Sequence, residues 1–277
     1  MKVPTRSLND GHTIPGIGLG TYGLTGDAGV ASVASALDSG YRLLDTALNY
    51  KNEREVGEAV RESAVDRDEI TVTTKIPGRH HGFDETLVSF EESIGNLGLE
   101  RIDLYLIHWP LPRVNKYVDS WRAMIRLREE GRVRSIGVSN FTGVQIERLI
   151  GETGVAPAVN QIELHPHFPQ AAQRRFNASH RILTESWSPL ADQRSLLTSH
   201  DVVMRIADTH EVTPTQTVLR WHLQLGAVPV PKSADPSRQR ENLDLFGFEL
   251  SEGEVKAISG LESGRLWDAD PDDHEEF

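Results

Sequence analysis

Eight short apolar runs recur along the chain, and each gives way to a polar or aromatic residue at its C-terminal end. They are GIGLGT, YRLLDT, ITVTTK, RIDLYLIHW, VRSIGVSN, PAVNQ, RILTESW and AVPVPK. At or just after their ends stand Thr21, Asp45, Lys75, His108, Asn140, Gln161, Trp187 and Lys232. Most of the stretches between them carry apolar residues at helical period. A short apolar run bounded by turn residues suits a buried strand. Strand alternating with helix eight times predicts a closed (β/α)8 TIM barrel. Barrels of this kind place their chemistry at the C-terminal strand ends, so eight polar strand ends predict one convergent site.

The pattern also predicts what surrounds the barrel. VPTRSLNDGHTIPGIGL reads as a β-hairpin, with Asn9-Asp10-Gly11 as its turn because Asp-Gly tolerates positive φ. Lying ahead of the first barrel strand, it is expected to act as a plug or cap. Helices are expected in DAGVASVASALDSG, NEREVGEAVRES, FDETLVSFEESIGNLG, YVDSWRAMIRLREEG, TGVQIERLIG, SHDVVMRIADTHEV, TPTQTVLRWHLQLG and DPSRQRENL. Asp84 is a candidate N-cap, Gly40, Gly98 and Gly131 are stops, and Thr213 with Pro214 opens a helix. SEGEVKAISGL is an extra helix with a Ser251–Glu254 capping box. No linker or composition shift divides the 277 residues. The expectation is one domain: a hairpin over about 1–15, a barrel over about 16–245, and an extra helix and short tail over about 246–277.

Composition narrows the function. The chain is 38% hydrophobic and 25% charged, as ordinary soluble domains are. It has no cysteine, which excludes disulfides and thiolate chemistry. No apolar run approaches the ~20 residues of a membrane helix, and MKVPTRSLNDGH lacks a signal core, so a cytoplasmic location is expected. With 41 acidic against 29 basic residues, the net charge of −12 disfavours nucleic acid and anionic membrane as partners. Part of that charge lies in the tail WDADPDDHEEF, whose acids are expected to stay in solvent.

Four titratable groups fall near three consecutive strand ends: Asp45, Tyr50, Lys75 and His108. A free phenol, with a pKa of about 10, is a weak acid at neutral pH. A neighbouring ammonium lowers that value, and Asp45 can orient Lys75. Tyr50 then becomes a general acid, with His108 donating to the substrate oxygen. Such a group suits protonation of an alkoxide formed when hydride adds to a carbonyl. Singly, an Asp–Lys pair on a barrel rim is usually structural, and a tyrosine is usually packing. It is their joint occurrence at successive strand ends that points to catalysis.

DTALNYKNEREVG, TTK, DLYLIHWP, GVSNF, NQIELHP, WSPL and PKSADPSRQREN occur in this order, within a match that runs from about Gly16 to Asn242. The ordered set strongly resembles the aldo-keto reductases, in particular the prokaryotic branch containing diketogluconate and glyoxal-type reductases. The resemblance implies an NADPH-dependent reductase of small aldehydes and ketones, such as dicarbonyls or keto sugars. It implies that Tyr50 is the proton donor, Lys75 and Asp45 its tuning pair, and His108 the residue that orients the carbonyl. A monomer is the default for the family.

For the cofactor, Gly16, Gly18 and Gly20 do not form a dinucleotide fingerprint, since no helix start follows at the right spacing. They fit a strand approaching a ligand or a neighbouring backbone. Ser139, Asn140 and Gln161 can hold a carboxamide or serve as structural hydrogen-bonders. Trp187 presents a flat face for stacking, or else packs in the core. Lys232, Ser233 and Arg238 gather two cations and a hydroxyl at a helix start, which suits phosphate. The resemblance assigns these three to the 2′-phosphate of NADP, and Glu241 and Asn242 to the adenine. It brings Gly20, Thr21, Tyr22 and the Trp187, Ser188, Pro189 and Leu190 segment to the cofactor. It places Tyr22, Tyr50, His108, Trp109 and Trp267 around the substrate.

His165 and His167 share a strand face, but the resemblance explains His165 within NQIELHP, and no metal is expected. Leu48, Asn49, Lys51, Gln239 and Trp267 depart from the family pattern. Lys51 would add charge near the pocket, and Gln239 touches the packing of the cofactor helix. The competing readings are a non-catalytic NADP-binding barrel acting as a redox sensor, and a metal-dependent barrel hydrolase. The sensor need not keep Tyr50 with His108, and the hydrolase needs three or four converging ligands.

Overall fold

The computed structural model describes residues 3–191 and 196–276. Residues 1, 2 and 277, which belong to the expected hairpin and tail segments, lie outside the described residues. The hairpin is β1 (Thr5–Ser7) paired antiparallel with β2 (Thr13–Pro15), with Thr5 opposite Pro15. The barrel strands are β3 (Leu19–Gly20), β4 (Leu43–Asp45), β5 (Thr71–Ile76), β6 (Ile102–Ile107), β7 (Val133–Ser139), β8 (Val159–Glu163), β9 (Leu183–Trp187) and β10 (Val228–Pro229). All are parallel and ordered as in the sequence. The seam between β3 and β10 closes through a parallel bridge from Gly20 to Lys232. The Gly18 N–H donates to the Pro229 carbonyl at 3.0 Å, and the Gly20 N–H to that of Pro231 at 3.1 Å.

The alternating glycines explain that closure. A Cβ on Gly20 would stand 2.8 Å from the Val230 carbonyl oxygen, and one on Gly18 would stand 2.7 Å from the Leu43 side chain. Only hydrogen at these positions lets the first strand approach the last. Inside, Leu43, Leu104, Leu106, Val159, Val228 and Val230 form one apolar cluster, which the hairpin enters through Leu8 and Ile14. Asn9 Nδ2 donates to the Pro157 carbonyl, just before β8, and Arg6 to that of Leu223, before β10. The hairpin therefore plugs the barrel end opposite the polar strand ends.

Around the strands run α1 (Gly26–Ser39), α2 (Glu53–Glu62), α3 (Phe83–Leu97), α4 (Tyr117–Glu129), α5 (Gly143–Thr153), α6 (Ala171–Ser179), α7 (Asp201–His210), α8 (Pro214–Gln224), α9 (Pro236–Leu243) and α10 (Glu252–Ser259). Their buried faces join the strands' outer residues in the main core, with Trp121, Phe90, Phe141 and Tyr41 at its centre. Thr213 caps α8 in a capping box with Gln216, and Ser251 does the same for α10 with Glu254. Such caps contribute roughly 1 kcal/mol each. Gly40 and Gly98 end α1 and α3 in the left-handed conformation that favours glycine.

One expectation is corrected and one helix is added. Asp84 is not the cap of α3, because the chain enters the helix two residues earlier, at Gly82. The φ of 131° there suits glycine, and its N–H donates to Ser120 Oγ. Asp84 lies in the first turn, where a carboxylate meets the positive helix end. No helix is expected between β8 and β9, yet α6 stands there, with Asn177 as its one buried residue, bonded to Thr184 and Asn160.

Candidate active site

Asp45 ends β4 and Lys75 lies two residues past Asp45's register partner, Thr73, on β5. The lysine side chain is thereby aimed back across the barrel mouth. Lys75 Nζ donates to Asp45 Oδ2 at 2.7 Å, to the Thr46 carbonyl at 3.0 Å and to Tyr50 Oη at 3.5 Å. Tyr50 is delivered by a one-turn 3₁₀ helix, Leu48–Tyr50, which ends at Lys51 with φ 57°. That left-handed residue explains why glycine suits the position after the tyrosine. Asn52 fixes the loop by donating to the carbonyls of Thr21 and Leu24 while accepting from Thr46 Oγ1.

The electrostatics correct one expectation. Burial of its hydroxyl pushes Tyr50 above the ordinary phenol value, and the Lys75 charge offsets this only in part, so the tyrosine is not made more acidic than usual. A proton is thus firmly loaded on Tyr50 at neutral pH. Burial works against the Lys75 ammonium, but Asp45, with help from Tyr50 and Glu185, outweighs it and holds Lys75 above the usual lysine range. The pair is charged, fully desolvated and well bonded, the condition under which a buried ion pair survives.

A hydrogen-bonded chain continues from Asp45. Gln161, on β8, donates through Nε2 to Asp45 Oδ1 at 2.8 Å and to Glu185 Oε2, on β9, at 2.7 Å. Burial, aided by the Asp45 charge, pushes the Glu185 carboxyl up to about 8. Ser139 Oγ donates to the Gln161 carbonyl. Asn140 Nδ2 donates to the His108 carbonyl at 3.0 Å, and its Oδ1 accepts from Trp187 Nε1 at 2.7 Å. The amides expected for cofactor recognition also brace neighbouring strand ends.

A cavity of about 490 Å³ opens over these groups. Among the residues singled out from the sequence, Gly20, Thr21, Tyr22, Asp45, Tyr50, His108, Trp109, Asn140, Gln161, Trp187, Ser188, Pro189, Leu190, Lys232 and Trp267 line it. Ala191, Val230 and Pro231 line it too and carry no polar signal that sequence reading could use. Tyr22 packs edge-on to Tyr50 with ring centres 5.1 Å apart, and Tyr50 meets His108 at 5.8 Å. Lys75 and Ser139 sit behind the lining, fully buried. Lys51 borders a separate surface depression with Arg54 and Arg79.

Ser233, Arg238, Glu241 and Asn242 lie beyond the cavity, at and along α9. Lys232 and Arg238 are exposed, and Ser233 is buried. The start of α9 differs from expectation. Asp235 Oδ1 already accepts from the Ser237 and Arg238 N–H groups, so the helix-end donors are engaged and the cationic side chains are what remain for an anion. Glu241 Oε1 accepts from Thr213 Oγ1 at 2.7 Å. Gln239 pins α9 by donating to the Ser32 and Ser233 carbonyls.

Five of the six tail acids are exposed, as expected, and Glu276 alone departs from that expectation. The segment runs along the mouth from His167, whose carbonyl accepts from the N–H groups of Ser263 and Gly264. Trp267 leans against Trp187, ring centres 5.4 Å apart, and remains 38% exposed. Asp272 accepts from Gln145, and Glu276 turns inward to His108, Asn49 and Gly78. Beneath the tail, Glu163 binds His165 Nε2 and the Leu266 N–H through the same oxygen, so His165 helps seat the tail. Among the described residues no three His, Cys, Asp or Glu side chains gather as a metal-holding group.

Sequence reading missed Glu185 and Glu276. Glu185 is visible as the lone acid in the run RILTESW. Glu276 gives no sign within an acidic tail.

The chain matches the aldo/keto reductase family over residues 16–263. It is 62% identical to 2,5-diketo-D-gluconic acid reductase B of Corynebacterium sp. (strain SHS752001), over all of this chain and 99% of that one. It is 43% identical to methylglyoxal reductase DkgA of Escherichia coli (strain K12), over 96% of each. Among solved structures, a point mutant of Gox0644 in complex with NADPH superposes with a TM-score of 0.94 at 45% identity, over 99% of this chain and all of that one. Bombyx mori aldo-keto reductase in complex with NADP gives 0.92 at 33% identity, over 99% and 98%. By sequence and by fold, this chain belongs to the aldo/keto reductase family.

Proposed function

We propose that the protein reduces small aldehydes and ketones, dicarbonyls and keto sugars among them, to alcohols with NADPH. The observation that carries this reading is Tyr50, Lys75 and Asp45 in direct contact at the floor of a cavity that His108 also lines. When bound, NADPH supplies the hydride that reaches the carbonyl carbon. The residues present suit such a cofactor. The Trp187 indole lines the cavity with its N–H tied to Asn140, which leaves its face for a flat ring. Lys232 and Arg238 are exposed cations on an acidic protein.

The chain's own groups do the proton chemistry. Tyr50 holds its proton until the carbonyl oxygen gains electron density, then gives it up; the O–H bond to the phenol breaks as the alcohol O–H forms. Lys75, kept charged by Asp45, stabilises the phenolate that remains until solvent reprotonates it. His108 orients the carbonyl oxygen from the cavity wall. Tyr22, Trp109, Trp187 and Trp267 give the walls flat aromatic surfaces, which suit small substrates with an apolar face.

A panel of aldehydes, dicarbonyls and keto sugars scored by loss of NADPH absorbance tests the reading. Turnover of at least one class is expected, and none at all rejects it in favour of an NADP-binding sensor. The same proposal takes a small carbonyl compound as the only partner and a cytoplasmic monomer as the working form. Among the described residues no helix is long and apolar enough to cross a membrane.

A further inference from the structure

The C-terminal tail brings Glu276 against the catalytic group. Glu276 Oε1 stands 2.7 Å from His108 Nδ1, and both side chains are about 13% exposed. The two groups are at contact distance, with the ring nitrogen not aligned for a hydrogen bond to the carboxylate. Two hydrogen bonds hold this carboxylate, and a close backbone approach seats the residue. Asn49 Nδ2 donates to Oε1 at 2.7 Å, and the Gly78 N–H donates to Oε2 at 3.3 Å. The Glu276 backbone lies so close to Gly78 that a Cβ there would overlap its carbonyl oxygen. Asn49 is held in turn by Arg79, which donates to its Oδ1.

The rest of the tail is pinned as well. The His274 ring packs at a tilt on Trp109 with centres 4.1 Å apart, and Ala269 packs against Trp109 and Leu111. Burial would favour protonation of Glu276, but His108, Asn49 and the Gly78 N–H outweigh it and keep the carboxyl below its ordinary range, so it is charged at neutral pH. Asn49 and Gly78 flank the loops after β4 and β5. A tail residue, two loops and the catalytic histidine thus form one unit. Asn49, a departure from the family pattern with no role in the tetrad, acquires one here.

We propose that Glu276 is a positioning residue for His108: the tail folds back so that its carboxylate, set by Asn49 and Gly78, holds the imidazole in the orientation that meets the carbonyl oxygen. This rests on the reductase reading for its consequence in turnover, but not for the contact itself. Glu276 lies outside the cavity lining, so it acts through His108 and not on the substrate. Orientation matters because a displacement of about 1 Å at a reacting group can cost ~10²-fold in rate.

The test compares Glu276→Ala, Glu276→Gln and Asn49→Ala in the full chain. In Glu276→Ala the single-turnover rate of NADPH oxidation by a carbonyl substrate should fall about 10- to 100-fold. NADPH Kd and Tm should stay at their wild-type values, and added formate should restore part of the rate. Glu276→Gln should lose less, and Asn49→Ala should show a smaller loss of the same kind. Independently of turnover, nitrogen-15 NMR of the His108 ring, assigned with His108→Gln, should show shifted ring nitrogens in Glu276→Ala. Unchanged ring nitrogens overturn the proposal, as does a wild-type rate in Glu276→Ala. A rate loss that follows a fall in Tm and ignores formate also overturns it. A wild-type protein that reduces no carbonyl rejects the reductase reading, while the NMR comparison still decides on Glu276.

Discussion

The tetrad end of the barrel mouth and the α9 end are built on opposite plans. At Asp45, Tyr50 and Lys75 every charge is buried and paired, and neighbouring strands fix the geometry. At Lys232 and Arg238 the charges are exposed and stand beside a helix start whose free N–H groups Asp235 has already taken. On the proposed function, the first region is organised before anything binds, and the second is left open for the cofactor phosphate. Chemistry needs fixed angles, and preorganisation avoids reorganisation at the moment of reaction. Recognition of a phosphate needs charge within reach, and long exposed side chains supply it. The difference predicts which substitutions alter rate, which alter stability and which alter only affinity.

Removing the proton at the rigid end should have the largest effect. Tyr50→Phe keeps the ring against Tyr22 and His108 while deleting the acid. Its kcat should fall ~10²- to 10⁴-fold with NADPH affinity nearly unchanged. A variant that keeps most of its kcat would mean that the buried phenol is not the donor.

Glu185 probes the cost of that rigidity. Its carboxyl binds a proton more tightly in the folded chain, with a value near 8, than in the unfolded one. Folding therefore takes up a proton between about pH 4.5 and 8, so stability is highest below that window and declines as pH rises through it. Glu185→Gln keeps the shape and the contact with Gln161 but cannot ionise. It should flatten the fall in Tm across this window and be more stable than wild type at pH 8.5, by on the order of a few kcal/mol. Parallel Tm curves for the two proteins would show that Glu185 does not titrate there.

At the open end, Arg238→Ala should leave Tm untouched. It should remove most of a preference for NADPH over NADH of at least about tenfold, since charge-assisted contacts to phosphate are the strong ones. Quenching of Trp187 fluorescence gives both Kd values. An unchanged ratio would place the phosphate elsewhere, and a lowered Tm would mean that Arg238 braces the fold.

What could be read from the sequence follows the same division. Strand-end polarity and the ordered motifs located Asp45, Tyr50, Lys75 and His108, because each follows an apolar run whose direction the barrel dictates. Gly18 and Gly20 were legible as close-approach positions. Gly82 was not, because Asp84 offers the commoner capping chemistry two residues later. The net effect on Tyr50 was also out of reach: residue types show that Lys75 is near, but only packing shows how much water the hydroxyl has lost. Glu276 was the hardest. Six acids in the eleven residues from Trp267 to the end look alike in sequence, and what distinguishes one is the meeting with Asn49, Gly78 and His108, all distant along the chain.

The smallest and most selective effect is expected at Trp267, where the two plans meet. Its indole leans on Trp187, across the cavity mouth, and lies edge-on to His165 at 6.2 Å, yet more than a third of it faces solvent. The backbone beneath is held without it, through the Leu266 N–H on Glu163 and Arg265 on the Ala269 carbonyl. Losing the ring should therefore leave the tail in place and cost little stability. What changes is the rim. Bulky carbonyls that cover the indole lose apolar contact worth roughly 25 cal/mol per Å² buried, whereas a small dicarbonyl does not reach it. Trp267→Ala should then lower kcat/KM for a bulky aromatic aldehyde several-fold, about that expected for 40–60 Å² of lost contact, and leave methylglyoxal within twofold. NADPH affinity should shift only slightly, as Trp187 loses one neighbour. A uniform change across substrates would place Trp267 with the fixed end of the site, as a brace for Trp187. No change at all would remove the tail from substrate choice and leave Glu276 as its one link to the chemistry.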